Sequence, residues 1–186
     1  MISSLRSPII DNSFSDKAYP LIQYPSVDSE KLFLALTATR WRYVFLELFR
    51  CIEAVLYMTW VMDLKKSVNG IFTLRKGYES IRTSLGWRED KGVSIQKLFS
   101  LFELDSDISM AESNVDQFQE LLGTEGFKRA WIGKKIYKIR NQLVHHEDFT
   151  DRTVLNVTED EFRDISVYLV IFLQKLFALY DKDLRA

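Results

Sequence analysis

With only one cysteine, Cys51, the chain can form no intrachain disulfide, and the apolar helical setting of that residue assigns it to a core kept in a reducing cytosol. Proline is scarce as well. Pro8, Pro20 and Pro25 all precede position 26, so no rigid helix breaker follows them. Glycines are few, and Gly70, Gly77, Gly86, Gly92, Gly123 and Gly126 punctuate long stretches whose apolar residues recur with helical rather than alternating spacing. The net charge of -1 excludes a globally basic nucleic-acid binder, so any attraction for phosphate must be local. Long uninterrupted apolar runs are missing too. Residues 43–62 are broken by Glu47, Arg50 and Glu53, and residues 165–180 are short and carry Gln174 and Lys175, so neither reads as a membrane span. The N-terminus lacks the basic start, apolar run and cleavage site of a signal peptide, and a cytoplasmic location is expected.

What is present is a hydrophobic fraction of 47% in 186 residues, enough to bury one core and to exclude disorder as a description of the whole. Residues 1–28 read as an extended arm and residues 29–186 as one all-α domain. Its first long helix is expected over 30–66, with Asp28 or Ser29 as N-cap. Along it Glu47, Arg50 and Glu53 recur at spacing three and are expected to pair along the helix surface. Shorter helices are expected over 72–85, 94–104 and 114–122, then a motif helix over 126–146 and a short extended piece at 153–157. Thr158 with Glu161 forms a capping box that opens a last helix. Its broad apolar face carries Phe162, Ile165, Leu169, Phe172, Leu173, Leu176 and Tyr180.

Charge is unevenly spread. Glu103, Asp105, Asp107, Glu112, Asp116 and Glu120 are followed by Lys128, Arg129, Lys134, Lys135, Lys138 and Arg140. The basic block is a phosphate-facing patch or, on the simpler view, a solvated face. At about 100° per residue, Ile132, Ile136, Ile139 and Leu143 share the core stripe, while Lys134, Tyr137, Asn141 and His145 lie opposite. Arg140 stands roughly 140° from His145, so arginine's length or a distorted last turn must bring them together. A guanidinium forks onto phosphate oxygens, a carboxamide donates and accepts, and an imidazole moves a proton near neutral pH. One histidine performs one transfer at a time, so two copies across a symmetric dimer would supply both acid and base.

The order Arg140-Asn141, three residues, His145, with Leu143 and Val144 before the histidine, resembles the signature of HEPN domains. The resemblance implies a HEPN-like helical bundle with long first, motif and last helices, and a metal-independent, cofactor-free endoribonuclease of a toxin-antitoxin or antiviral defence system. Catalysis would rest on Arg140, Asn141 and His145, with Lys134, Tyr137, Lys138 and His146 contacting substrate. His146 also satisfies the family spacing. The implied partners are RNA, a second copy across the motif-helix face, and an antitoxin or defence-system protein. The chain departs from one group of these toxins, in which a tyrosine follows the histidine by two residues; here that residue is Glu147. A HEPN-like module that binds RNA, nucleotide or protein without turnover is the alternative. So is a plain helix end whose cations complement the dipole. His145, His146, Glu147 and Asp148 do not make a metal site, because consecutive helical residues point in different directions.

Overall fold

The computed structural model describes residues 12–67, 73–85, 90–102, 129–145 and 157–185. These residues form helices α1 (Asn12–Ala18), α2 (Ser29–Thr37), α3 (Trp41–Glu53), α4 (Met58–Ser67), α5 (Leu74–Leu85), α6 (Lys91–Ser100), α7 (Arg129–His145) and α8 (Glu159–Leu184), with a 3-10 helix at Tyr19–Gln23 after α1. No strand occurs among the described residues. The helix expected at 114–122 and most of the extended piece expected at 153–157 lie outside them.

Helix α8 is the axis of the fold. Its capping box is complete: Glu161 N–H donates to the Thr158 hydroxyl, and the Glu161 carboxylate accepts from the Thr158 amide. Phe162, Ile165, Leu169, Phe172, Leu173, Leu176 and Phe177 are buried along it. Helix α3 packs lengthwise on α8 and α2 packs on α3, while α6 lies against α7. Aromatic contacts tie these layers together. Phe45 of α3 meets Phe162 at 5.5 Å between ring centroids, and Phe99 of α6 stacks on Phe172 at 4.2 Å. Truncating a phenylalanine buried this way costs about 3–5 kcal/mol.

Two expectations are corrected. The stretch 30–66 is not one helix but α2, α3 and α4, although neither proline nor glycine interrupts it. Ala38 and Arg40 are extended, and the new N-terminus at Trp41 is capped by Glu159 of α8 rather than by a neighbour in sequence. The second break follows from burial. Val55, Leu56, Tyr57 and Met58 are all buried, which consecutive residues on a straight helix cannot achieve without neighbours on every side. The chain instead tightens into turns, with Val55 N–H donating to Ile52 C=O and Met58 N–H to Val55 C=O, both at 3.0 Å.

The extended arm expected over 1–28 is likewise helical from Asn12 through Gln23, and residues 1–11 lie outside the described set. Phe14, Ala18 and Leu21 are buried, with Phe14 edge-on to Trp41 at 5.1 Å. Pro20 is the second residue of the 3-10 helix, in the first turn, where a missing N–H leaves no helical bond unmade. Ser26 then fastens the segment to α8, its amide donating to Asp181 Oδ1 at 3.0 Å. No helix among the described residues is long and apolar enough to cross a membrane.

Candidate functional site

Helix α7 buries Ile132, Ile136 and Ile139 and half-buries Leu143, as the apolar stripe predicts. Gly133 widens that buried arc. A Cβ placed there would stand 2.9 Å from the Ile95 carbonyl oxygen and 3.2 Å from Phe99 Cδ2, so its absence is what lets α6 and α7 approach so closely. On the helical wheel Gly133 and Arg140 are only about 20° apart, which turns Arg140 toward the neighbouring helices instead of away from them.

The Arg140 guanidinium crosses to the last residue of α3. Its Nη2 donates to Glu53 Oε1 at 3.1 Å and to Oε2 at 3.3 Å, while Nη1 donates to Asn141 Oδ1 at 3.0 Å. The ring of Phe49, one turn earlier on α3, lies 5.8 Å from the guanidinium carbon. Both charged side chains are largely withdrawn from water, with 17% of Arg140 and 15% of Glu53 exposed. Arg140 is therefore oriented before any ligand arrives.

Glu53 has a second cationic partner. Lys91, the first residue of α6, places Nζ 3.0 Å from Glu53 Oε1 and stays about half exposed, at 48%. Asp90 caps that helix by accepting from the Val93 amide at 3.0 Å, which holds Lys91 at the helix start. One carboxylate from α3 thus joins an ammonium from α6 and a guanidinium from α7. The expected pairing of Glu47, Arg50 and Glu53 holds only for Glu47 and Arg50, at 2.6 Å. Glu53, at the end of α3, points between helices and takes its partners from there.

No known family, curated protein or solved structure matches the chain. The site therefore stands on its own geometry. Among the motif residues, Lys134 and Lys138 are exposed and Asn141 is half-buried beside Arg140. Tyr137 is not on an open face. It stacks on Phe49 at 6.3 Å and sits by Gly92, whose Cβ position is 3.7 Å from Tyr137 Cε1. The described part of α7 runs to His145, one turn beyond Asn141, but the His145 side chain and the whole of His146 lie outside the described residues. So do Glu147 and Asp148. Among the described residues no cluster of histidine, cysteine and carboxylates could hold a metal ion.

A groove of about 470 Å³ runs between α4 and α6, lined by Thr59, Met62, Asp63, Lys66, Gln96 and Lys97 among others, and it includes none of the motif residues. Cys51 is buried away from solvent. Burial, reinforced by Asp28 and Glu47, pushes its thiol up to about 12, which makes it a poor nucleophile at neutral pH.

Glu53, Lys91 and Phe49 around Arg140, and the close approach at Gly133, are not among the expected site features. Glu53 and Lys91 carry no local signal, being far from Arg140 in the chain. Gly133, by contrast, was visible as a glycine inside a strongly periodic helix, a pattern that marks close packing.

Proposed function

We propose that the chain is a metal-independent endoribonuclease of the HEPN type, acting as a toxin or antiviral defence effector. The observation that carries this reading is the Arg140 guanidinium, held by Glu53 and Asn141 about one and a half turns before the His145 backbone position, with Lys91 as a second cation on Glu53. A cationic centre at the end of a basic helix suits a phosphodiester.

In the proposed reaction the ribose 2'-hydroxyl attacks the adjacent phosphorus and the 5'-oxygen leaves. His145 exchanges the proton of the attacking or leaving oxygen, Arg140 balances the charge on the phosphorane and Asn141 keeps the guanidinium turned toward it. The products carry a 2',3'-cyclic phosphate and a 5'-hydroxyl. A second copy docked along the exposed strip of α7 that includes Lys134, Lys138 and Val144 would bring a second histidine, so that acid and base act together. An antitoxin or defence-system protein is the further partner this reading implies.

The test is incubation of the full chain, its Arg140→Ala variant and its His145→Ala variant with RNA and with matched DNA, with and without chelator. Cleavage of RNA alone, unaffected by chelator and reduced about 10²- to 10⁴-fold in the histidine variant, supports the reading. Equal cleavage of DNA, which lacks the internal nucleophile, overturns it.

The Arg140–Glu53 pair also favours a second reading. A guanidinium this withdrawn can serve as a pin between α7 and α3 in a HEPN-like binding or interaction module without turnover. In that case the wild type binds RNA, nucleotide or protein but leaves RNA intact.

A further inference from the structure

Among the described residues, most ion pairs that join helices link one cation to one carboxylate. Lys97 has Asp63 at 2.9 Å, Lys65 has Asp183 at 3.4 Å and Arg42 has Glu159 at 2.6 Å. Glu53 differs because two cations share it, Arg140 and Lys91. The two are not equivalent. Arg140 is 17% exposed, lies against the Phe49 ring and contacts both Glu53 oxygens. Lys91 is 48% exposed and contacts one oxygen through a flexible four-carbon stem.

If Lys91 leaves, Glu53 keeps its guanidinium, so no buried carboxylate is stranded. If Arg140 leaves, a largely buried pair is broken. The ammonium is therefore the cation that an incoming phosphodiester can take over at least cost.

We propose that Lys91 is a phosphate-binding residue of this site, its ammonium passing from Glu53 to a phosphodiester of bound RNA while Glu53 stays on Arg140. The proposal rests on the RNA reading above and adds to the motif helix a residue from α6. Position favours the role, since the start of α6 abuts Tyr137 at Gly92, which sets Lys91 beside the face of α7 that carries Asn141. Lys91 is not asked to move a proton. It holds substrate, so its loss raises KM and leaves kcat in place.

The experiment measures binding of a 2'-O-methyl oligoribonucleotide, which lacks the attacking hydroxyl, to the full-length wild type, Lys91→Ala and Lys91→Arg proteins across a salt series. Each phosphate contact on a single strand contributes about 0.7 to the slope of log affinity against log salt. Expected are a slope smaller by about 0.7 and weaker binding for Lys91→Ala, recovery of both in Lys91→Arg, and melting temperatures unchanged in either. A wild type that binds while Lys91→Ala keeps the same slope and affinity overturns the role of Lys91 and leaves the RNA reading standing. Failure of the wild type to bind RNA at all overturns both.

Discussion

The carboxylate of Glu159 accepts the backbone N–H of Trp41 at 2.8 Å and the Arg42 Nε–H at 2.6 Å, so the first residue of α8 caps the start of α3. Burial raises the Glu159 pKa, but the bonds from Arg42 and the Trp41 amide outweigh it and hold the carboxyl below its ordinary range. The side chain takes the place of the serine, threonine or aspartate that usually caps a helix from within. Glu159→Ala is expected to destabilise the protein by about 1 kcal/mol, within the range for a lost cap. In a chain of this size that lowers Tm by about 2–4 °C in thermal unfolding.

Acid should weaken the fold through the same group and through Asp181. Burial raises the Asp181 carboxyl, yet the Ser26 amide and the Arg185 side chain bring it below its ordinary 3.8. Both carboxylates thus bind protons less readily in the native state than in the unfolded chain. The stability they contribute is complete above the ordinary values of 4.5 and 3.8 and is lost as pH falls through the lower native ones. Unfolding followed from about pH 6 to about pH 2, which brackets the ordinary carboxylate values and extends below them, should show a shallower acid limb for Asp181→Asn than for the wild type.

Gly133→Ala separates helix propensity from packing by its sign. Propensity alone makes alanine better than glycine inside a helix by about 1 kcal/mol. The new methyl, however, would meet the backbone of Ile95 at 2.9 Å, and backbone cannot swing aside. A net loss of about 1–3 kcal/mol is expected from the overpacking, measured by denaturant midpoint. A stabilised variant would show that α6 and α7 can part without penalty.

Arg140 and Glu53 should be energetically coupled. Their pair is drier than a surface ion pair, worth about 0–1 kcal/mol, and wetter than a fully buried one. A double-mutant cycle with Glu53→Ala and Arg140→Ala is expected to return a coupling of about 1–2 kcal/mol. On the proposed function, Glu53→Ala also lowers RNA cleavage by loosening the guanidinium. Additive stability effects would mean that the two groups do not hold each other.

Much of the fold is legible in short-range patterns. Asp28 caps α2 through the Lys31 amide, Thr158 and Glu161 close the capping box, and Ile132, Ile136 and Ile139 line the core as their spacing requires. The breaks at 38–40 and 54–57 are not legible, because an apolar pattern with no proline or glycine reads as continuous helix. At the site, Arg140 and Asn141 are found together, as adjacency in the chain ensures. Tyr137, placed on an open face by the wheel, is half covered because α3 reaches around that flank to stack Phe49 on it.

What the amino-acid order alone determined is the all-helical character, the caps set by near neighbours and the face of each helix that turns inward. Hydrogen bonds and side-chain contacts three or four positions apart are specified by the chain itself. Only the tertiary structure decided where the early helical stretch breaks, which carboxylate holds Arg140, and that Lys91 shares it. Those outcomes depend on charges and apolar surface brought together from distant positions, as when Glu159 reaches Trp41 or Glu53 reaches Arg140, and no local pattern encodes such a meeting.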